Sequence, residues 1–275
     1  MAVCGRSATR TGPSACRATY PVVPTRYYGV SRLRNLRRPV RIHPVRAESS
    51  AAPLSALRAS IPVSTRRLPV YILADVSGSM QGTPIESVKS GIRQLHRDLL
   101  GDPQAIESAY LSVLTFSDAA QQIVPLTEVA MFNPPELQAS GQTNFGDGLR
   151  LLLEVFEREL VRTTADQKGD WRPLVFILSD GAPTDVDWPV YAQQLRERRP
   201  ANIIAVACGD QADVEALKQV TEIVIQMQDM SPDAFKAFFR FVSASVKQTS
   251  SKVGAGADGG GITLPPPPPG ITIVP

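Results

Sequence analysis

The chain has 275 residues, 43% of them hydrophobic and 20% charged, enough for one sizeable α/β core with tails and too few for a second full domain. Its formal charge of +3 averages two unlike parts: residues 1–62 hold 11 Arg, no Lys and the single acid Glu48, while residues 63–275 hold 18 basic and 25 acidic groups. That balance excludes nucleic-acid binding as the expected role of the folded part; the three cysteines, Cys4, Cys16 and Cys208, exclude a disulfide framework and fit a reducing, cytoplasmic setting; and no apolar run reaches the ~18 residues of a membrane span.

Residues 1–62 show no sustained period of either 2 or 3.6. The stretch "YPVVPTRYYGVSRLRNLRRPVRIHPVR" is cut by proline wherever a helix could begin. Three readings stay open for this basic extension. It is an Arg-rich, acid-poor transit peptide, a basic arm for nucleic acid or an acidic partner, or a stretch ahead of a true start near Val63.

Order begins abruptly at Leu68. "LPVYILAD" is an apolar run of strand length, followed by a helix over "GTPIESVKSGIRQLHRDLLG", with Thr83 as cap, Pro84 at the first helical position and Glu86 completing a capping box. "ESAYLSVLTFS" reads as a strand. "AQQIVPLTEV" is a weaker one, suited to an edge by Pro125. A helix starts just after Thr143 and covers "FGDGLRLLLEVFERELV". The strand "PLVFILSD", the helix "VDWPVYAQQLRERRP", the strand "ANIIAVACG", the short helix "ADVEALKQV" and the strand "EIVIQM" follow. "SPDAFKAFFRFVSASVKQ" is a last helix capped by Ser231, and "TSSKVGAGADGGG" reads as a linker. The close "ITLPPPPPGITIVP" is either a disordered tail or an edge strand folded back through its Ile-Thr-Ile-Val alternation. Buried strands alternating with amphipathic helices predict a mostly parallel sheet with helices on both faces, an α/β, Rossmann-like doubly wound fold.

In such folds ligands bind beyond the carboxyl ends of the strands. Three polar loops fall at that edge: "DVSGS" after the first strand, "SGQTNFGDG" before a helix and "SDGAPTDVD" after a later strand. They carry Asp75, Ser77, Ser79, Thr143, Asp180 and Asp185. Carboxylates and hydroxyls without Cys or His are hard ligands, suited to Mg²⁺, with Mn²⁺ or Ca²⁺ as alternatives. Ser77 and Ser79 also suit a simple turn into the helix. Cys208 reads as a buried small hydrophobe, and Trp171 and Trp188 as packing residues, Trp188 close enough to this edge to meet a partner. His96 reads as a helix-surface residue.

The pattern resembles the metal-ion-dependent adhesion site of von Willebrand factor A (VWA) domains. Asp75-x-Ser77-x-Ser79, then Thr143 at the start of a later helix, then Asp180 after a later strand match its five positions, and the resemblance spans residues 68–245. Within that superfamily the chain is similar to the tellurium-resistance TerY-like proteins, through "RRLPVYILADVSGSMQGTPIE", "SDGAPTD" and "LPPPPPGITIVP". Ala74-Asp75-Val76 departs from the more usual Leu-Asp-Thr and leaves the five positions intact. The resemblance implies a six-stranded sheet with one antiparallel edge, divalent-metal-dependent protein binding, and a cytoplasmic stress-response scaffold. Its implied partners are a kinase-like protein and a metal-dependent protein phosphatase.

The expected organisation is an extension over 1–62, a VWA domain over 63–248 and a Gly/Pro-rich tail over 249–275. A partner's Asp or Glu completes the metal's shell within a rim of Met80, Gln81, Gly82, Gln142, Asn144, Pro183, Thr184, Asp185 and Asp187. The alternatives are a metal-dependent phosphoester hydrolase and a generic VWA adhesion module. Against an enzyme, position 77 is serine where a phosphatase wants a second carboxylate. His43 and His96 stand too far from Ser77 and Ser79 to activate them, and no dinucleotide-binding glycine pattern is present.

Overall fold

The computed structural model describes residues 66–254 and 264–274. The readings of residues 1–62, and a beginning near Val63, lie outside those residues.

Eight consecutive buried residues, Leu68–Asp75, form the central strand β1. Their alternation serves two cores at once. Leu68, Val70, Ile72 and Ala74 face one apolar cluster, and Tyr71 and Leu73 the other. A strand buried on both faces needs helices on both sides, and the chain supplies them. Helix α1 (Thr83–Leu100) presents Ile85, Val88, Ile92, Leu95 and Leu99 to the first cluster, where α6 (Pro232–Gly254) joins it with Phe235, Phe238, Phe239, Val242 and Val246. The second cluster is covered by α3 (Phe145–Glu159), α4 (Trp188–Arg198) and α5 (Val214–Val220).

The remaining strands are β2 (Ala109–Phe116), β3 (Ala120–Glu128), β4 (Leu174–Ser179), β5 (Asn202–Cys208), β6 (Val224–Met227) and β7 (Ile271–Val274). They lie in the order β3-β2-β1-β4-β5-β6-β7. β1, β2, β4, β5 and β6 are parallel, and the two outer strands β3 and β7 are antiparallel. β3 is the edge its proline suggests. The register shifts around Ser112, whose hydroxyl donates to the carbonyl of Val124 just before Pro125. To the six expected strands the tail adds β7, so the folded-back alternative holds. Ile271 is buried on the first cluster and Val274 is packed against the second.

Several local expectations change. Thr83 is not the cap of α1: Gly82 is, with φ 81° and no side-chain bond, because the turn out of the preceding loop needs a left-handed residue. Glu86 reaches Lys89 instead of closing a capping box. A short helix α2 (Pro103–Ser108), capped by Asp102 on the Ala105 N–H, takes the residues read as the beginning of β2. Helix α6, with Ser231 accepting from Ala234 N–H, runs to Gly254, beyond the Gln248 where composition suggests a linker. His96 is half-buried and tied to the Val129 carbonyl, with its ring against Phe132.

At the amino edge of the sheet the two arginines before β1 are pinned. Arg67 makes a bidentate pair with Asp170 at 2.7 and 2.6 Å, and Arg66 donates to the carbonyls of Gly169 and Asp170 while its guanidinium lies over Trp171. Among the described residues no helix is long and apolar enough to cross a membrane.

Candidate metal centre

The opposite, carboxyl edge brings three loops together, and backbone bonds lace them. Gly78 N–H donates to the Gly141 carbonyl at 3.0 Å and Ser140 N–H to Val76 at 2.8 Å. Thr184 N–H donates to the Thr143 carbonyl at 3.0 Å, and the Thr184 hydroxyl accepts from Thr143 N–H and donates to the Asn144 side-chain carbonyl. Asp118, in the β2–β3 turn, accepts from Gln142 N–H, and its own carbonyl takes the Asn144 amide. Asp185 accepts from Gly146 N–H at 2.6 Å, an anionic group at the start of α3 where the helix has free N–H donors. The geometry of the edge is therefore fixed by its own bonds.

Four of the five candidate metal ligands make one continuous chain of contacts. Asp75, with no exposed surface, ends β1; its Oδ1 accepts from Ser77 N–H at 2.8 Å and its Oδ2 from the Ser179 hydroxyl at 3.0 Å. The Ser77 and Ser79 hydroxyls lie 3.0 Å apart, and Ser79 donates to Asp180 Oδ1 at 2.9 Å. Thr143 is buried at the entry to α3, its hydroxyl next to Gly181, where an added Cβ would stand 3.6 Å away.

Burial pushes the Asp75 carboxyl up to about 6, and the negative Asp180 adds to it, against the hydrogen bonds from Ser77 and Ser179. Asp180 is raised as well, chiefly by burial and against its bond from Ser79. Among the described residues no Lys or Arg forms an ion pair with either. Two desolvated carboxyls without a cation form a site that favours positive charge.

The donor set fits a hard divalent ion. Ligand oxygens at right angles about an octahedral ion at ~2.1 Å stand about 3 Å apart, and the Ser77–Ser79 and Ser79–Asp180 oxygen pairs are at 3.0 and 2.9 Å. Among the described residues no group of three or more His, Cys, Asp and Glu gathers as a metal cage, here or elsewhere, so a cation at this site would rest on two carboxylates and on hydroxyls.

The rim differs from its expectation at several positions. Met80 is fully buried in the first core cluster and cannot touch a partner: the tight helical turn Gly78–Met80 rolls it inward. Asp185 is half-buried on the start of α3, half-buried Asn144 is engaged in the lacing, and Thr184 takes part in the lacing while staying exposed. Gln81, Gly82, Gln142 and Asp187 are exposed, and Pro183 is half-buried. Two contributors were not foreseen. Ser179 holds Asp75, and its signal is its place before Asp180 at the end of a strand that pairs with β1. Asp118 holds the second loop from a turn that ends on the same edge. Val186, 95% exposed, stands between the two rim residues Asp185 and Asp187. Trp188 packs its ring near Phe145, and Cys208 is buried at the end of β5, its thiol pushed well up by burial.

The family model described as "von Willebrand factor type A domain" matches residues 70–239, more than half of the chain. No curated protein matches the sequence. Among solved structures, proximal thread matrix protein 1 from the mussel byssus is similar at a TM-score of 0.50 and 17% identity, over 66% of this chain and 48% of that one. The pilus adhesin SpaC from Lactobacillus rhamnosus GG is similar at 0.53 and 14% identity, over 67% and 31%. A further structure of the mussel protein, with its MIDAS motif occupied by zinc, gives 0.49 at 18% identity, over 66% and 48%. This chain thus spans 48% of the mussel protein's structure and 31% of the pilus adhesin's. These likenesses are of fold, and none is with a protein named TerY-like.

They also correct the cytoplasmic assignment. The matched folds belong to a byssus and a pilus, both outside the cell. A scarcity of cysteine does not by itself mark the cytosol, and the one cysteine described, Cys208, is a buried free thiol that either compartment accommodates. With the sheet order, the five-position constellation and the match over residues 70–239 in agreement, this chain belongs to the von Willebrand factor type A domain family.

Proposed function

We propose that Asp75, Ser77, Ser79, Thr143 and Asp180 hold one divalent cation, and that the protein is a metal-dependent protein-binding module of the adhesion type. The observation that carries this reading is the convergence of Asp75 and Asp180, desolvated and without a basic partner among the described residues, on a ladder of hydroxyls at ligand spacing. A bound cation supplies the positive charge that cancels both carboxylates and attracts a third. The neutral hydroxyls of Ser77, Ser79 and Thr143 add no negative charge, so a dication and the two carboxylates would sum to zero and a partner's Asp or Glu would approach the ion without net repulsion. Gln81, Gly82, Gln142, Thr184 and Asp187 form the exposed rim, with Val186 as an apolar contact beside it. The hard oxygen set favours Mg²⁺, with Mn²⁺ or Ca²⁺ next. On this reading the expected domain of 63–248 is extended by the rest of α6 and by β7.

A finer reading makes the protein a TerY-like stress scaffold for a kinase-like protein and a metal-dependent phosphatase. Its support is the sequence from Arg66 to Glu86 together with the proline-rich close, and the adhesion-type reading stands without it. Gene neighbours encoding such enzymes would favour the scaffold. A hydrolase finds less support: His96 is occupied on Val129, away from the serines.

Calorimetry tests the metal. One Mg²⁺ or Mn²⁺ site per chain is expected, lost in Asp75→Ala and weakened in Thr143→Ala. Absence of binding to the wild-type protein at millimolar metal would refute the proposal. A pull-down in Mg²⁺ and in EDTA tests the partner; equal recovery in both would move the interface elsewhere.

A further inference from the structure

The tail between α6 and β7 is anchored at both of its described ends. Leu264 packs half-buried against the first core cluster, and Ile271, 6% exposed, sits in the same cluster. From there β7 pairs with β6, Ile271 opposite Met227 and Val274 opposite Val224. Between the anchors run five prolines, Pro265–Pro269.

Their burial has a period of three. Pro265 and Pro268 are half-buried and Ile271 is buried, while Pro266, Pro267, Pro269 and Gly270 are exposed. Three residues per turn is the repeat of the polyproline II helix, to which consecutive prolines confine the backbone. The run ends in a turn of type II order. Ile271 N–H donates to the Pro268 carbonyl at 3.1 Å, Pro269 supplies the fixed φ, and Gly270 supplies φ 81°. One edge of the helix faces the domain and two face solvent. Pro266 and Pro269, three apart, share one exposed edge, with Pro267 on the other, which makes an outward P-x-x-P.

We propose that this strap is a ligand: a partner domain with an aromatic-lined groove for polyproline II docks on Pro266, Pro267 and Pro269. A mere spacer between Leu264 and Ile271 needs only length, and packing does not require proline at the exposed positions 266 and 267. Prolines lack N–H groups and leave their carbonyls open to the Trp and Tyr donors of such grooves. Anchoring at both ends removes conformational freedom that a free peptide would lose on binding. This surface is independent of the metal centre.

The test titrates the intact protein with isolated SH3, WW and EVH1 domains, which read proline-rich segments through aromatic grooves. At least one class is expected to bind, equally in Mg²⁺ and EDTA, and several-fold tighter than the free peptide 264–275. The double variant Pro266→Ala/Pro267→Ala, altered only at exposed positions, should lose binding while its circular dichroism is unchanged. Ile271→Asp, which undocks the strap, should fall to the affinity of the free peptide. Failure of all three classes to bind, or undiminished binding by the double alanine variant, would overturn the proposal. Equal affinity of intact protein and peptide would overturn the pre-organised display.

Discussion

Asp75 has no exposed surface and a carboxyl pushed up to about 6, against an ordinary value of 3.8, chiefly by burial. The folded chain therefore holds this proton more tightly than the unfolded chain does. Its contribution to stability is full below pH 4 and is lost as pH rises through 6, by on the order of 3 kcal/mol. In EDTA, urea unfolding between pH 4 and pH 7 should show that decline, and Asp75→Asn should lessen it, since the Ser179 hydroxyl can turn to accept from the new amide. Mg²⁺ at a hundred times its Kd should restore about 2.7 kcal/mol to the wild-type protein and nothing to the variant. Superimposable pH profiles for the two proteins would refute the assignment of the decline to Asp75. Six polar positions at this edge were legible from residue type and place in the chain, and the resemblance to the VWA adhesion site narrowed them to five candidate ligands. Met80 was not, because whether a side chain beside a serine loop turns outward depends on the single helical turn that follows, and that turn's direction is set by the packing beneath it.

At the scale of elements, the tightest constraint lies between α1 and α6. A Cβ built on Gly91 would meet the Phe239 ring at 1.9 Å, so the two helices approach through this glycine. Replacing it by alanine sets two effects against each other. Helix propensity improves by up to ~1 kcal/mol, whereas overpacking a buried aromatic contact costs about 1–3 kcal/mol. Overpacking should win: Gly91→Ala is expected to lower stability by on the order of 1 kcal/mol, read as a lower urea midpoint. Combining it with Phe239→Leu should cost less than the two single changes added, since the smaller side chain relieves the clash. The sequence showed α1 as a helix and hid what Gly91 does, because only the meeting of two distant segments gives that position its neighbour. Strands buried on both faces were plain from their unbroken apolar runs. The beginning of β2 was misread because α2 is six residues long, too short for a periodic pattern, although Asp102-Pro103 carries the signs of a helix start.

For the molecule as a whole, both outer strands run against the parallel strands between them, and this decides where the described chain enters and leaves. β1 begins at the amino edge of the sheet with Leu68, held there by the pinned Arg66 and Arg67. Because β7 is antiparallel, Val274 ends opposite Val224, the first residue of β6, on that same edge. The folded-back tail was one of two readings open to the sequence. The alternation in Ile-Thr-Ile-Val suits an edge strand, but the free side of β6 becomes visible only once the sheet order is known. A fluorescent protein fused after Pro275 should thus leave Mg²⁺ affinity unchanged in calorimetry, whereas the same insertion between Gln81 and Gly82 should abolish it; impaired binding by the terminal fusion would contradict this placement. The first and last described residues, Arg66 and Val274, thus both lie on the side away from the carboxylates, as two strings are tied at the back of a lantern. A load drawn through either of them reaches the binding face only through the sheet, along strands whose hydrogen bonds lie across the pull.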